Sequence, residues 1–266
     1  MFEAYRVPRG YMPFWHFGAR MGIGTVRRFY ARMRARGYSH VLDAGTGGGA
    51  NVILGAWMGF RVTASDLARG ALVALRDTAG RVRPPIRAGY AQSDSLALPF
   101  PDVLFDVVIA SHIIEHLPEP RAFLCECIRV LRPGGVLRVS CPSRFHALRV
   151  GLWFGLRLDP DDHAVQGYDS ADIAAMLPPG NRVTRVSYQG RAIESNVSDA
   201  QFLLARALGM SGNPAVSVER GAPPAWLFVL KEILTVPLLL VARCEDALLF
   251  FSKGSMITVE IERLRE

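Results

Sequence analysis

Residues 41–49 read Val-Leu-Asp-Ala-Gly-Thr-Gly-Gly-Gly, and the rest of the chain is arranged around them. Two apolar residues end a hydrophobic run, Asp43 follows at once, and glycine recurs at positions 45, 47 and 49. Glycine adopts positive φ without strain and lets a ligand approach the backbone closely. The order predicts a buried strand that ends at Asp43 and turns tightly into a helix near Ala50. Such a turn is typical of nucleotide-binding sites.

Strands and helices alternate from Ser39 to Cys141, as judged from the apolar periodicity. We predict strands at 41–43, 61–65, 86–91, 106–110 and 136–141, and helices at about 50–58, 67–78 and 119–132. The last helix is expected to stop at Arg132-Pro133-Gly134-Gly135, because proline and paired glycines end a helix and turn the chain. Alternation of this kind implies a mostly parallel sheet with helices on both faces.

After Cys141 the pattern predicts a helix at 171–176, a strand at 182–188, an apolar insertion at 191–254 and a strand at 256–262. The predicted fold class is therefore α/β: a Rossmann-like seven-stranded, mostly parallel sheet with an antiparallel last strand, helices on both faces and a helical apolar insertion before the last strand. The corresponding division is an N-terminal arm and cap helix (1–38), a core (39–190), the insertion (191–254) and the last core strand (255–266).

The composition favours a cytoplasmic protein. Residues 1–11 carry charges and a proline in place of a secretory signal. In the most apolar stretch, 225–251, the longest charge-free run is 233–242, about half of a membrane span. None of the four cysteines forms a C-x-x-C pair, so we expect small buried thiols. The net charge of +7 comes mainly from arginine, which is dense from Arg20 to Arg36. A solvated helix face, an anionic membrane surface or nucleic acid would each suit this patch.

The glycine turn alone does not identify the nucleotide. Gly45-x-Gly47-x-x-Ala50 also matches the relaxed dinucleotide fingerprint, with Asp66 ending the next strand. More specific motifs follow at the later strand ends. They are Ser93-Asp94, Leu98-Pro99-Phe100-Pro101, Phe105-Asp106-Val107-Val108, Ser111-His112-Ile113-Ile114-Glu115-His116 and Val130-Leu131-Arg132-Pro133-Gly134-Gly135.

With these motifs in this order and at this spacing, the chain resembles the class I S-adenosylmethionine-dependent methyltransferases. It is most similar to the small-molecule branch that includes ubiquinone and menaquinone biosynthesis enzymes. The resemblance covers about 39–142, and more loosely 163–190 and 256–264. It implies S-adenosyl-L-methionine as cofactor, S-adenosyl-L-homocysteine as product, and transfer of a methyl group to a small acceptor.

The cofactor-binding residues that the resemblance implies are Asp43, Gly45, Thr46, Gly47, Gly49, Asp66, Leu67, Asp94, Ser95, Ser111 and His112. In this assignment the glycine turn passes under the methionine and ribose portions, and Asp43 meets the ammonium. Asp66 suits the ribose because a carboxylate accepts from both hydroxyls. Leu67 packs against adenine, Asp94 accepts from its exocyclic amine, and His112 lies near the sulfonium.

Three residues are candidates for catalysis: His112, His163 and Tyr168. His163 and Tyr168 precede a predicted helix, where relatives often have a histidine and an aromatic residue on a loop that closes over the substrate. They are therefore candidates for substrate contact or for a general base. His112-x-x-Glu115-His116 also fits the inverted zincin string. Because no additional ligand cluster is evident in the sequence, we predict no metal.

Two absences from the sequence favour a small-molecule acceptor. No Asn-Pro-Pro-Tyr string of the amino-directed nucleic-acid methyltransferases follows the fourth strand, so we predict no nucleic-acid partner. There is also no Tyr-x-x-x-Lys pair of a short-chain dehydrogenase, since Leu227 and Leu249 stand four positions before the two lysines. Methyl transfer gains much from alignment, and a base is needed only where the nucleophile must lose a proton. Both O- and C-methylation therefore fit the residues.

The insertion is the best indication of the acceptor, because residues 225–251 are more apolar than one buried helix face requires. It could be a lid over a hydrophobic or lipid-like acceptor, a homodimer interface, a peripheral membrane contact, or two core-packing helices joined at Pro237. Two other functions stay open. One is a non-catalytic scaffold that retains the cofactor site, and the other is an NAD(P)-dependent oxidoreductase.

Overall fold

The computed structural model describes residues 17–82, 84–145, 165, 167–197, 200, 237, 238, 240–249 and 252–265. Its strands are β1 (His40–Ala44), β2 (Arg61–Asp66), β3 (Gly89–Gln92), β4 (Phe105–Ser111), β5 (Leu131–Pro142), β6 (Asn181–Gln189) and β7 (Met256–Arg263). Its helices are α1 (Phe17–Ala35), α2 (Ala50–Trp57), α3 (Arg69–Arg81), α4 (Pro120–Val130) and α5 (Ser170–Met176). Residues 192–197 and 240–248 are also helical.

The strands form one sheet in the order β3-β2-β1-β4-β5-β7-β6. Strands β1 to β5 are parallel, and β7 lies antiparallel between β5 and β6. Every residue of β1 and the first six of β4 are buried, as expected for central strands covered on both faces. The predicted fold class is confirmed.

Alternate residues of the central strands supply two core layers, because successive side chains of a strand point to opposite faces. Leu42 and Val108 belong to the layer that contains Phe123 of α4. Val41 belongs to the other layer, together with Tyr30 of α1 and residues of α2. The cap helix predicted at the N-terminus is therefore part of the core.

Charge pairs attach α1 to the last strand. Arg32 pairs with Glu260, and Arg36 Nη2 lies 3.1 Å from a carboxylate oxygen of Glu262. Arg34 donates to a backbone carbonyl at 2.7 Å. Part of the basic patch that the sequence suggested is thus engaged within the protein and is not a free cationic face.

Strand β3 is shorter than predicted, because it begins at Gly89 and not at residue 86. The Ile86 amide donates to the Ala79 carbonyl of α3 at 3.1 Å. The first pair of the β2–β3 ladder joins Gly89 to Thr63. The Ile86 amide is therefore bonded to the end of α3 and not to β2, and the apolar pattern of the sequence does not predict this hydrogen bond.

Helix α4 leads into β5 without a turn. The helix ends at Val130 and β5 begins at Leu131, so the expected helix to 132 and the expected turn at 132–135 are wrong. Leu131 pairs with Phe105, whereas Val136 pairs with Val107. Residues 132–135 therefore form an irregular bulge that the sheet absorbs, and proline and glycine suit such a position.

The insertion is described at 191–197, 200, 237, 238, 240–249 and 252–254. No helix within the described part of the chain is long and apolar enough to cross a membrane. Cys127 and Cys141 are buried as predicted, and burial raises the pKa of both thiols. Cys125 is only partly buried, and Cys244, in the helical segment 240–248, is exposed, so the expectation of buried thiols is wrong for these two. The domain boundaries stay a prediction.

Candidate functional site

Polar residues converge at the carboxyl ends of four neighbouring parallel strands. Asp43 and Asp66 stand at the ends of β1 and β2, and Ser111 is the last residue of β4. Asp94 follows β3 by two residues. Because β1 lies between β2 and β4, these side chains share one edge of the sheet, which is where open α/β sheets bind ligands.

The glycine turn between β1 and α2 is held against β2. The amides of Gly45 and Thr46 both donate to the Ser65 carbonyl at 2.9 Å. Gly45, Gly47 and Gly49 have φ values of 71°, 46° and 74°, in the left-handed region that favours glycine. The alternation of glycines in the sequence therefore reflects three backbone positions that other residues adopt only with strain.

The three glycines differ in what surrounds them. A Cβ atom on Gly45 would lie 2.3 Å from Ile113, and one on Gly49 would lie 2.1 Å from Leu75. A Cβ atom on Gly47 would meet nothing within 4 Å. Gly49 is thus required by internal packing, because Leu75 is buried, whereas a side chain at Gly45 would force the end of the Ile113 side chain to move. Gly47 borders open space, where a ligand can approach the backbone.

Asp43 is buried inside a small polar network. It accepts from Thr46 Oγ1 at 2.7 Å and from Asn51 Nδ2 at 3.1 Å. Asn51 Nδ2 also lies 3.3 Å from Ser111 Oγ, so it links the ends of β1 and β4. Burial raises the pKa of Asp43 to about 6, against the lowering effect of the two hydrogen bonds.

Asn51 is a site residue that was not predicted from the sequence. It could have been predicted, because a side-chain amide in the first turn of α2 lies beside the carboxylate at the end of β1. The Asn51 carbonyl also accepts from Tyr30 Oη of α1 at 2.9 Å. One residue therefore connects the cap helix, the glycine turn and the end of β4.

Asp66 uses each carboxylate oxygen once within the protein. Oδ2 accepts from the Gly47 amide at 2.8 Å, and Oδ1 accepts from the Ala68 amide at 2.9 Å. A carboxylate has about four lone-pair positions, so both oxygens keep capacity for further donors. Leu67 follows with 68% of its surface exposed, and its carbonyl accepts from Gln92 at 3.1 Å.

Asp94 and Ser95 lie on the turn after β3. Asp94 is exposed and accepts from the Leu96 amide at 2.9 Å, whereas Ser95 is buried. The following turn, 98–101, is fixed by Arg129 of α4, which donates to the carbonyls of Leu98 and Phe100. These contacts hold residues 98–101 in a fixed turn.

The three catalytic candidates have different surroundings. His112 follows β4 directly and its imidazole is largely exposed. Tyr168 is buried, its hydroxyl donates to the Ile114 carbonyl at 3.3 Å, and burial raises its pKa to about 12. His163 lies outside the described residues. Of the two described candidates, only His112 presents its ring to solvent at the sheet edge.

Comparison with known proteins identifies the family. Residues 42–139 match the model of the family described as Methyltransferase domain. A ubiquinone biosynthesis O-methyltransferase of Xanthomonas oryzae pv. oryzae (strain PXO99A) is 34% identical over 164 residues, which cover 58% of this chain and 67% of that protein. The chain belongs to the S-adenosylmethionine-dependent methyltransferases. This membership sets aside the NAD(P)-dependent alternative.

Other methyltransferases align over shorter stretches. A Synechocystis 2-methyl-6-phytyl-1,4-hydroquinone methyltransferase is 38% identical over 102 residues, which cover 38% of this chain and 31% of that protein. A Mycolicibacterium smegmatis protein assigned as an S-adenosylmethionine-dependent methyltransferase is 41% identical over 104 residues, or 39% of this chain and 38% of the relative. The chain thus spans less than half the length of these two curated relatives.

Solved structures agree on the fold. The [4+2]-cyclase SpnF superimposes with a TM-score of 0.58 at 20% identity, covering 90% of this methyltransferase-family chain and 81% of the cyclase. A candidate methyltransferase of Bacillus halodurans C-125 gives a TM-score of 0.54 at 18% identity, covering 89% and 99% of the two chains. One neighbour is named for cyclisation, so the fold by itself does not specify methyl transfer.

Proposed function

We propose that this protein binds S-adenosylmethionine at the carboxyl edge of β1, β2 and β4 and transfers its methyl group to a small, hydrophobic acceptor. The observation that carries the proposal is the open space at Gly47, whose amide is held by the carboxylate of Asp66 and whose neighbour Thr46 donates to the buried carboxylate of Asp43. When bound, S-adenosylmethionine supplies a sulfonium-activated methyl group to a nucleophile. The residues of the chain bind it, orient it and bring the acceptor into line.

The donor and acceptor groups of the site fit this cofactor. Asp43 offers a buried carboxylate to the ammonium of the amino-acid end, and Asp66 keeps acceptor capacity for a ribose diol. The exposed Leu67 offers an apolar surface for adenine, and Asp94 stands one strand further along the edge. Ser111 would border the methionine end, since Asn51 connects it to Asp43.

The raised pKa of Asp43 makes cofactor binding depend on pH. An ammonium favours the ionised carboxylate, so affinity is highest above the pKa of about 6 and falls as pH falls through it. Between pH 7 and pH 5 we expect S-adenosylhomocysteine to lose about tenfold in affinity, or about 1.4 kcal/mol. Titration calorimetry at pH 5, 6 and 7 measures this change.

Asp43→Asn is the control for that titration. It binds S-adenosylhomocysteine more weakly at pH 7, and its affinity is nearly constant between pH 5 and pH 7. In the ligand-free protein, the raised pKa of Asp43 makes stability depend on pH in the opposite direction from cofactor affinity. The pKa of Asp43 in the folded protein is above the ordinary aspartate value of 3.8, so the free energy of unfolding falls as pH rises from about 4 to about 6. A wild-type affinity that does not change with pH would contradict the assignment of Asp43.

A phenolic or quinol-type acceptor with an apolar chain is the substrate class that we propose. The relatives that support it are named for ubiquinone biosynthesis and for a phytyl hydroquinone. The test is to incubate cell extract with the purified protein and S-adenosylmethionine that carries a deuterated methyl group, and to record by mass spectrometry which metabolite gains it. An apolar phenol that gains the label supports the proposal, whereas a labelled polar amine or nucleic acid excludes it.

The alternative of a non-catalytic scaffold predicts a different result. S-Adenosylhomocysteine then binds with the pH dependence given above, but no extract component gains the deuterated methyl group. The SpnF neighbour makes this comparison worthwhile, since a protein of the same fold is named for another reaction.

We also propose that the segment 237–249 contacts an anionic membrane surface, where apolar acceptors reside. Its exposed apolar residues are Leu238, Leu240, Val241, Leu248 and Leu249. Arg243 of this segment lies near Arg28 of α1, since a Cβ atom on Gly24 would lie within 4.0 Å of both guanidinium groups. Exposed aliphatic side chains beside arginines are typical of peripheral membrane contacts.

Sedimentation with phosphatidylglycerol vesicles tests the membrane contact. We expect the wild type to sediment at low salt, and the Leu240→Asp/Leu248→Asp variant to lose at least tenfold in partitioning, since each change places a charge where an apolar group would be buried. Val73→Asp, at an exposed apolar position of α3, is the matched control and should sediment like the wild type. If the protein remains in the supernatant and forms a dimer by light scattering, the apolar face is an interface between two copies.

A further inference from the structure

His112 occupies an unusual backbone position at the end of β4. Its φ is 54°, which is uncommon for a residue with a side chain, and its amide donates to the Ser140 carbonyl of β5 at 2.8 Å. The sheet therefore holds this residue in a conformation that costs free energy. Such strain is found mostly where a side chain must be aimed.

Glu115 lies beneath the imidazole and is completely buried. Its Oε1 atom is 3.3 Å from Nδ1 of His112. Neither carboxylate oxygen accepts a hydrogen bond from any residue in the described part of the chain. A buried carboxylate without donors is costly, so an imidazole N–H directed at it, and even more an imidazolium, would offset that cost.

The pair lies beside the network that organises the cofactor site. Ser111 immediately precedes His112, and Asn51 connects Ser111 to Asp43. The outer side of the imidazole faces solvent at the same sheet edge, with 58% of its side-chain surface exposed. One ring nitrogen is thus near a buried carboxylate, and the rest of the ring is accessible to an acceptor.

We propose that Glu115 is a positioning residue that keeps the proton of neutral His112 on Nδ1, so that Nε2 is free to act as a general base. A hydrogen bond at one ring nitrogen decides which nitrogen carries the proton, and a carboxylate also stabilises the imidazolium that forms during reaction. The inference rests on the proposed methyl transfer. It narrows the acceptor to a hydroxyl group, and the reaction to O-methylation.

The reaction balances with these residues alone. The acceptor hydroxyl gives its proton to His112 Nε2 as its oxygen bonds to the methyl carbon. The carbon–sulfur bond breaks, its electron pair stays on sulfur, and the products are a methyl ether and S-adenosylhomocysteine. The imidazolium, paired with Glu115, then releases its proton to water. The base removes the proton that would otherwise leave a charged oxonium product.

The position of the proton on His112 is measured first, because it needs no acceptor. We expect ¹⁵N spectra of the histidine-labelled protein with S-adenosylhomocysteine at pH 8.5 to show the Nδ1–H tautomer. In Glu115→Gln the side-chain amide can donate to Nδ1, so the proton should move largely to Nε2. Glu119→Gln removes an exposed carboxylate four residues away and should give the wild-type spectrum. A wild-type protein with the proton on Nε2 would overturn the proposal.

Rates measured with two acceptors then distinguish a general base at His112 from a purely structural role of the His112–Glu115 pair. With 4-octylcatechol, whose hydroxyl must lose a proton, we expect Glu115→Gln and His112→Gln to lower kcat about 100-fold. With 4-nitrocatechol, which is already largely ionised at pH 8.5, the loss should be below about fivefold. Equal losses with both acceptors overturn the proposal. If Glu115→Gln does not fold, His112→Gln carries the comparison.

Failure of the proposed function gives a different pattern of results. If the wild type binds S-adenosylhomocysteine but methylates neither catechol, the proposal of a phenolic acceptor fails, and the tautomer alone decides the role of Glu115. If the wild type does not bind S-adenosylhomocysteine, the proposed cofactor site fails. The ¹⁵N spectrum of the ligand-free protein then still shows which nitrogen of His112 carries the proton beside Glu115.

Discussion

Asp66→Ala is expected to weaken the binding of S-adenosylhomocysteine by about 100-fold, the largest loss of affinity for any single change at the site. The variant would lose the carboxylate that we propose as the acceptor for both ribose hydroxyls, and hydrogen bonds to a charged group contribute about 1.5–3 kcal/mol each. A net loss of about 3 kcal/mol corresponds to about two orders of magnitude in Kd. The same carboxylate holds the amides of Gly47 and Ala68, so the turn beneath the cofactor also loosens.

Titration calorimetry at pH 7.5 measures this loss, with Asp77→Ala as the matched control. Asp77 is an exposed carboxylate of α3, the helix that follows Asp66 in the chain. Its removal changes the charge equally and should leave the Kd within about twofold of the wild type. A wild-type Kd for Asp66→Ala would show that the ribose lies elsewhere.

Gly49→Ala is expected to lower the free energy of unfolding by about 3 kcal/mol. A left-handed backbone costs about 1–2 kcal/mol for a residue with a Cβ atom, and overpacking adds about 1–3 kcal/mol. The added methyl group would lie 2.1 Å from Leu75, which is itself 2% exposed. Because Leu75 is packed in the core, it has little room to move, and urea denaturation should show the full loss.

Gly47→Ala provides the comparison, since it has positive φ but open surroundings. We expect a loss of only about 1–2 kcal/mol in unfolding free energy, from the backbone term alone. Its affinity for S-adenosylhomocysteine should fall more than tenfold, because the methyl group enters the space that we assign to the cofactor. If Gly47→Ala binds as tightly as the wild type, the cofactor does not pass over the turn.

The central strands of the sheet were predictable because each one is marked by a local run of apolar residues. The run Val41–Asp43 is apolar up to a carboxylate, and β4 is buried along six of its seven residues, so both strands were located within about one residue. The start of β3 was not predictable, because it depends on an amide of Ile86 that bonds back to α3. The same holds for residues 132–135, whose proline and glycines serve as a bulge and not as a turn.

The candidate site also contains some residues that were predictable from the sequence and others that were not. Asp43, Asp66 and Ser111 could be placed from the rule that parallel strands share a carboxyl edge, and the structure brings them to that edge. Asn51 was not predicted, and Glu115 was named only as part of a motif and of a possible metal string, because the sequence does not show the contacts of Asn51 with Ser111 and of Glu115 with His112. Such contacts depend on side-chain directions, which a residue type and a position in the chain do not fix.

The position of β7 between β5 and β6 has a consequence for biosynthesis. β6 is translated before β7, yet β7 supplies the ladder that joins β6 to the sheet. Until residues 256–263 have left the ribosome, the edges of β5 and β6 that pair with β7 have no partner. Arg32 and Arg36 of α1 also lack their partners Glu260 and Glu262. Open edges invite pairing with other chains. The nascent chain is therefore most exposed to such pairing before β7 is complete.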